Sequence, residues 1–173
     1  GDEQTLAALV RKLDHESPHA RAGAVEAIAA ICEKGHKPTI SALLEKPLQD
    51  PVPHVQAEAV EALGAVCEKG DTAALAVLID KLEHQNCGVS TEAADAIAEV
   101  SKKGYEPAVA ALISKVEDED QSDFVTKYAV RALAEVSEKG HEPSIAALTK
   151  ASRNHGSDEV RSKALEAIAA LQK

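Results

Sequence analysis

Residues 59–70, AVEALGAVCEKG, form the segment that decides the fold. Four related segments recur along the chain at spacings of 34 to 36 residues: AVEAIAAICEKG at 24–35, AADAIAEVSKKG at 93–104, AVRALAEVSEKG at 129–140 and ALEAIAALQK at 164–173. A constant period of this length is typical of repeat proteins, in which one small structural unit is copied and stacked. Five copies of such a unit account for nearly the whole chain.

Each copy is preceded by another apolar segment, so the repeating unit contains two helices. In the first of these segments, Leu6, Leu9, Val10 and Leu13 fall at positions i, i+3, i+4 and i+7, the spacing of one helix face. Two-helix units bury their apolar faces by stacking on their neighbours. We therefore predict an all-α fold, a right-handed alpha-alpha superhelix in one domain over 2–173, with repeats at about 2–35, 36–70, 71–104, 105–140 and 141–173.

Glycine and proline mark the predicted helix ends. Gly35, Gly70, Gly104 and Gly140 each follow a lysine, and a glycine at this position adopts the left-handed conformation that ends many helices. Pro47 falls inside an otherwise helical segment, where proline lacks the N–H that a helix requires. We expect that helix to end or kink near Lys46.

Composition limits the function classes. The 173 residues include 33 alanines, and the net charge is −10. Such an acidic chain is a poor ligand for nucleic acid or an anionic membrane, because phosphate groups select for clustered lysine and arginine. The sequence contains no apolar run long enough to span a membrane and no signal-peptide pattern. Its three cysteines exclude a complete disulfide framework, which favours an intracellular, cytoplasmic setting. The absence of methionine predicts a piece excised from a longer chain.

The second helix of the unit resembles that of HEAT-like repeats. The pattern is an apolar residue, then a polar residue or arginine, then Ala-x-x-Ala-Leu-Gly-x-Val, and it is found here from Val55-Gln56 to Val66 and from Val160-Arg161 to Ile168. Arginine occupies the second position only at Arg21 and Arg161, which weakens the inter-repeat arginine ladder of such proteins. The resemblance implies an α-solenoid that acts as a scaffold or protein-binding surface, without implying a particular partner.

A candidate binding surface follows from the register of the second helices. Each second helix is numbered from its first apolar residue, which is Ala20, Val55, Val89, Val125 or Val160. Positions 4, 7 and 11 in this numbering are predicted to face away from the core. In the second and third repeats these positions include five carboxylates and no cation: Glu58, Glu61, Glu92, Asp95 and Glu99. The fourth repeat adds Tyr128, predicted to be the only aromatic residue on this surface, with Arg131 beside it. We predict that these seven residues bind a basic segment of a protein or peptide partner on the concave face.

Other interpretations stay open from sequence. The carboxylates also suit a solvated acidic face, and the chain also suits a purely structural segment of a longer solenoid whose binding site lies elsewhere. A remote alternative is a HEAT-like metal-dependent hydroxylase or a lyase relative. Deoxyhypusine hydroxylase, a HEAT-like enzyme, uses His-Glu pairs early in the second helix, where this chain has Ala57-Glu58 and Thr91-Glu92. We therefore predict no catalytic residue, no metal and no cofactor.

Two register positions outside this surface vary in chemistry. Cys32 and Cys67 align with Ser101 and Ser137, which predicts a small, half-buried contact between helices. Cys87 lies in a loop and is predicted to be the most exposed thiol. The second variable position holds three residue types in four repeats, which indicates that it tolerates varied chemistry: His36, Asp71, Tyr105 and His141.

Overall fold

The computed structural model describes residues 3–173, and within that range the chain forms ten α-helices, one short 3₁₀ helix and no β-strand. The α-helices are α1 (Glu3–Lys12), α2 (Pro18–Ile31), α3 (Lys37–Glu45), α4 (Pro53–Val66), α5 (Thr72–Lys81), α6 (Cys87–Val100), α7 (Glu106–Glu117), α8 (Asp123–Val136), α9 (Glu142–Asn154) and α10 (Asp158–Gln172). The 3₁₀ helix spans Pro47–Gln49. The prediction of an all-α fold built from five two-helix repeats is confirmed.

The chain divides into two compact units, Gly1–Val100 and Ser101–Lys173. The first unit holds helices α1 to α6, and the second holds α7 to α10. The single-domain assignment and the repeat boundaries stay predictions.

Each unit has an aliphatic core. The second helices of the first unit bury large side chains completely at every turn, including Val25, Ile28, Val55, Leu63, Val89 and Ile97. In the second unit the corresponding residues are Val130, Leu133 and Val160. Fully buried alanines such as Ala59, Ala93 and Ala129 lie between them, and their small side chains allow the helices to approach closely.

The four predicted glycine stops are confirmed and also connect neighbouring repeats. Gly35, Gly70, Gly104 and Gly140 have φ angles of 80°, 91°, 74° and 75°, in the left-handed region that favours glycine. In the first unit, the backbone N–H of Gly35 donates to the carbonyl of Val66 at 2.8 Å, and that of Gly70 donates to Val100 at 2.6 Å. In the second unit, the bonds from Gly104 to Val136 and from Gly140 to Leu171 are both 2.8 Å. Each glycine therefore bonds to the second helix of the following repeat.

A side-chain network joins the first three repeats where the arginine ladder was expected to weaken. Arg21 donates two hydrogen bonds to Asp50, from Nε to Oδ2 at 2.6 Å and from Nη2 to Oδ1 at 2.9 Å, and they lower the pKa of Asp50. Gln56, at the next arginine position, donates to the Asp50 carbonyl at 2.6 Å and accepts from Lys81 Nζ at 3.0 Å. Lys81 also donates to the Leu48 carbonyl at 2.8 Å, and burial lowers its pKa. Gln56 and the buried Lys81 thus take the place of one arginine in the ladder between repeats.

Pro47 acts as predicted. Helix α3 ends at Glu45, and the chain continues as the 3₁₀ helix that begins at Pro47. The missing N–H of proline explains why the α-helical hydrogen bonds stop there.

The variable position occupied by His36, Asp71, Tyr105 and His141 is the N-cap of the first helix in each of these repeats. The Asp71 carboxylate accepts hydrogen bonds from the backbone N–H groups of Ala73 and Ala74, both at 3.1 Å. His141 Nδ1 accepts from the N–H of Ser144 at 3.3 Å. Capping needs only a side-chain acceptor of suitable reach, which accounts for aspartate and histidine at the same position.

Candidate functional site

The five predicted carboxylates lie on two adjacent helices of the first unit. Glu58 and Glu61 lie on α4, and Glu92, Asp95 and Glu99 lie on α6. Glu61 and Glu99 are exposed, and the other three are half-buried. We call these five residues the acidic surface. The helices hold them in fixed register, because α4 and α6 pack directly against each other along their buried faces.

Gly64 allows a close approach between the two helices. A methyl carbon added at Gly64 would lie 3.2 Å from the Cα of Ala96 and 2.9 Å from Oε2 of Glu99. The Glu99 carboxylate therefore lies close to the backbone of α4. The glycine in the HEAT-like pattern thus positions one member of the acidic surface.

The surroundings of Glu58 raise the pKa of its carboxyl. Partial burial raises its pKa, and the charges of Glu61 and Glu26 raise it further, while His54 lowers it. The His54 Nε2 atom lies 3.9 Å from Glu58 Oε1, one helical turn away. Glu26 is exposed on α2 and extends the negative charge onto a third helix, although the sequence analysis did not select it. The clustered negative charges of these carboxylates create a negative potential that favours a cationic ligand.

Tyr128 and Arg131 lie on α8, in the second unit. The prediction that Tyr128 is the only aromatic residue on its surface is wrong. Phe124 is 47% exposed and packs on Tyr128, with ring centroids 5.0 Å apart and an interplanar angle of 52°. Phe124 precedes Tyr128 by four residues, so both lie on one face of the helix. Their i, i+4 spacing was the sequence signal for this pair.

Two cations lie against these rings. Lys127 Nζ lies 5.2 Å from the Phe124 ring centroid, and Arg131 Cζ lies 4.8 Å from that of Tyr128. Both distances suit cation–π contacts. We call Phe124, Lys127, Tyr128 and Arg131 the aromatic cluster, which is a feature of the second unit.

The thiols differ in exposure. Cys87 is exposed, as predicted, but its placement in a loop is wrong, because it is the first residue of α6. The half-buried contact predicted for the other position holds for Cys32 and is wrong for Cys67, Ser101 and Ser137, which are buried. Burial raises the pKa of the Cys67 thiol to about 12, so this cysteine is protonated and unreactive at neutral pH.

Two searches of residues 3–173 were negative. No group of three or more histidine, cysteine, aspartate or glutamate side chains in this range is arranged to hold a metal ion. No helix in the same range combines the length and apolarity that crossing a membrane requires.

Comparison with protein families finds that the model of HEAT repeats matches residues 40–134 and 75–169. A comparison with curated proteins finds no significant match.

Solved structures with similar folds include designed and natural proteins. A designed armadillo repeat protein in complex with the peptide (KR)4 is 27% identical, with a TM-score of 0.67 over 99% of this chain and 87% of that chain. CpcE and CpcF of phycocyanin lyase from Nostoc sp. PCC7120 match at 20% identity and a TM-score of 0.69, over 96% and 99%. Human deoxyhypusine hydroxylase matches at 16% identity and a TM-score of 0.63, over 98% and 74%. The last two likenesses are likenesses of fold alone.

Proposed function

The chain belongs to the HEAT repeat family, and from that premise we propose that it is a non-enzymatic protein-binding module whose acidic surface binds a basic segment of a partner. One observation carries the proposal. Five carboxylates of the second and third repeats, Glu58, Glu61, Glu92, Asp95 and Glu99, lie on two helices that pack directly against each other.

The electrostatics of the acidic surface support a cationic ligand. The raised pKa of Glu58 reflects burial and repulsion from Glu61 and Glu26, and a bound lysine or arginine would relieve that repulsion. The Glu99 carboxylate lies close to α4 at Gly64, so it adds its charge to the helix that carries Glu58 and Glu61.

A relative supports the chemistry of the ligand. The designed armadillo repeat protein that shares 27% identity with this chain was solved with the peptide (KR)4, in which every residue is basic. We propose that this chain likewise binds an extended Lys/Arg-rich segment, on the face that its second helices share. That this face is concave is part of the proposal.

Tyr128 and Arg131 remain in the proposal as further partner contacts. Exposed aromatic residues and arginine are the residue types that most often dominate binding energy at protein interfaces. Both residues belong to the second unit, so their contribution is measured separately from that of the acidic surface.

The test uses the peptide (KR)4 as a fluorescent probe and the intact chain. Anisotropy is measured at low and high salt for the wild type and for the triple variant Glu61→Lys, Asp95→Lys, Glu99→Lys. A matched control reverses three exposed carboxylates on first helices, Glu3→Lys, Glu45→Lys and Glu142→Lys, with the same change in net charge. Circular dichroism establishes that all three proteins are helical.

We expect saturable binding to the wild type that weakens with salt. The triple variant should lose about tenfold or more in affinity, as three ion pairs of about 0.5–1 kcal/mol become repulsive. At high salt, where net charge is screened, the affinity of the control variant for (KR)4 should stay within about twofold of the wild-type affinity. Equal loss in both variants would mean that the peptide responds only to net charge, and the acidic surface would not be the site.

A further inference from the structure

One face of α10 is exposed where the corresponding face of other second helices is buried. Leu165, the sixth residue from Val160, is 59% exposed. Ile168 and Ala169 lie on the same side of the helix, and they are half-buried and exposed respectively. The sixth residues of α2, α4 and α8, on which the following second helices α4, α6 and α10 pack, are completely buried: Val25, Val60 and Val130. We call Leu165, Ile168 and Ala169 the α10 face.

Three positions of α2 are less buried than the same positions of other second helices. Ala20, Ala27 and Ile31, the first, eighth and twelfth residues of α2, are half-buried. The residues at these positions of α4, α6 and α10 are at most 6% exposed, and each of those helices packs on the second helix of an earlier repeat. These positions therefore face the preceding repeat, and in α2 they are partly uncovered. We call Ala20, Ala27 and Ile31 the α2 face.

The packing of α4 on α6 shows how two such faces meet. A methyl carbon added at Gly64, the tenth residue of α4, would lie 3.2 Å from the Cα of Ala96, the eighth residue of α6. The residues at these two positions of the uncovered faces are Ala169 on α10 and Ala27 on α2. Alanine at the tenth position suits this packing, because α2 and α8 also have alanine there.

Arg161 on α10 has the same anchoring as the arginine that joins the first repeat to the second. Arg21 Nη1 donates to the carbonyls of residues 15 and 16, and its Nε and Nη2 donate to Asp50 of the following repeat. Arg161 Nη1 likewise donates to the carbonyls of residues 155 and 156, at 2.6 and 3.1 Å. The guanidinium of Arg161 is therefore held as in an arginine that contacts a following repeat.

We propose that copies of this chain associate head to tail, with the α10 face of one copy packed on the α2 face of a second copy. The second copy is the partner that the repeat interface specifies, because it carries the matching uncovered face. The side-chain volumes also compensate. Leu165 is larger than the valines at its position in α2, α4 and α8, whereas Ala20 is smaller than the valines at its position in α4, α6 and α10.

The association should be weak and should strengthen with salt. In the second copy, His15 stands where the second repeat has Asp50, two residues before the N-cap. Arg161 therefore keeps its ion pair with Asp158 of its own helix, and the contact is mainly apolar. Each copy also carries a net charge of −10, so the copies repel each other until salt screens that charge. The two faces are different surfaces, so association can continue beyond two copies.

Sedimentation velocity of the intact chain, from about 10 µM to 1 mM at low and high salt, tests the inference. Leu165→Glu places a charge in the α10 face, and Ala27→Glu places one in the α2 face. Two controls make the same change in net charge. Phe124→Glu replaces another exposed large apolar residue, and Ala30→Glu replaces an exposed residue of α2 outside the α2 face. Circular dichroism and thermal unfolding show whether the four variants are folded.

We expect the mass of the wild type to rise with concentration, to pass that of a dimer and to rise further at high salt. Each face variant should associate at least about tenfold more weakly, because the contact would bury a charge without a partner. The two controls should stay within about twofold of the wild type. A mixture of Leu165→Glu and Ala27→Glu should form dimers and no larger species, because each variant retains one intact face.

A gain of affinity tests the alignment of the two copies. His15→Asp supplies the carboxylate that Asp50 supplies to Arg21, and it should tighten the association about threefold or more.

The inference is wrong if the wild type stays monomeric at every concentration and salt, or if the mixture of the two face variants stays monomeric. It is also wrong if Leu165→Glu prevents association and Ala27→Glu does not, since that result would mean a symmetric contact between two α10 helices. Unchanged affinity of His15→Asp would contradict the repeat-like alignment. None of these residues belongs to the acidic surface, so the two proposals fail separately.

Discussion

The backbone N–H of Gly35 donates a 2.8 Å hydrogen bond to the carbonyl oxygen of Val66, which joins the end of the first repeat to the second helix of the next. The bond requires the left-handed conformation of Gly35, with φ of 80°. The same geometry recurs at the three other glycine stops. The glycine therefore ends one helix and positions the next repeat.

Replacing these glycines with alanine should destabilise the chain. Gly140→Ala has no steric conflict within 4 Å, so its cost is the left-handed backbone alone, about 1 kcal/mol. At Gly35 the added carbon would also lie 2.8 Å from Glu68 Oε1, and the flexible Glu68 side chain must move. Urea unfolding of both variants should show losses of about 1–2 kcal/mol. An unchanged free energy of unfolding for Gly140→Ala would show that the left-handed conformation costs nothing there.

Gly64 and Gly23 form a matched pair inside helices. Gly23→Ala on α2 meets nothing within 4 Å and should stabilise the chain by about 0.5–1 kcal/mol, because alanine is the better helix former. Gly64→Ala should instead destabilise it by about 1–3 kcal/mol, since the new carbon would lie 3.2 Å from the Ala96 Cα. Thermal unfolding should shift in opposite directions for the two variants. Two shifts of the same sign would contradict the close approach of α4 and α6.

Ser101 and Ser137 occupy the same register position in different surroundings. The Ser137 hydroxyl lies 2.8 Å from that of Ser144, while Ser101 Oγ is buried with no hydrogen-bond partner among the described residues. Ser101→Ala should raise the free energy of unfolding by about 1 kcal/mol, because it removes a buried hydroxyl without a partner. Ser137→Ala should lower it by a similar amount. Guanidinium denaturation of the two variants checks this difference in sign.

Asp50 should give the chain an acid-sensitive contact. Its hydrogen bonds to Arg21 lower its pKa below the ordinary value near 3.8, so the folded protein binds this proton less tightly than the unfolded chain does. The stabilisation is complete above the ordinary pKa and is lost as the pH falls through the lowered value. Asp50→Asn should cost about 1–2 kcal/mol at pH 7 and flatten the loss of stability between about pH 5 and 2. Glu45→Gln, an exposed change in the same unit, should retain the wild-type pH dependence.

Glu58 should have the opposite pH dependence. The raised pKa of Glu58 means that the folded protein binds this proton more tightly than the unfolded chain does. The contribution of Glu58 to stability therefore falls as the pH rises from the ordinary pKa near 4.5 through the raised pKa. Glu58→Gln should therefore raise stability at pH 7, by less than about 1 kcal/mol. Urea unfolding between pH 7 and 4.5 should show a smaller stability gain on acidification for this variant than for the wild type. Parallel pH profiles would contradict the raised pKa.

The repeats and their helix ends could be predicted from sequence because their causes are local. The Lys-Gly stops, the end of α3 before Pro47 and the apolar spacing from Leu6 to Leu13 depend on residues within one or two turns of each other. The placement of the five carboxylates on neighbouring helices followed from the same periodicity.

Contacts between repeats could not be predicted in this way. Sequence register identified Gln56 as a break in the arginine ladder but did not place Lys81 against it, a contact between the second and third repeats. It also placed Cys67 and Ser101 at a half-buried position that the neighbouring helices cover completely.

The all-helical repeat, its period, the four glycine turns and the register of the acidic residues could be predicted from the amino-acid sequence alone. The folded structure was needed to show that Gly35 bonds to Val66, that Lys81 takes the place of an arginine in the ladder and that Glu99 lies close to Gly64. The difference arises from distance along the chain. Helix formation and capping depend on near neighbours, whereas these contacts join residues about 25 to 35 positions apart and arise only when packed helices bring them together.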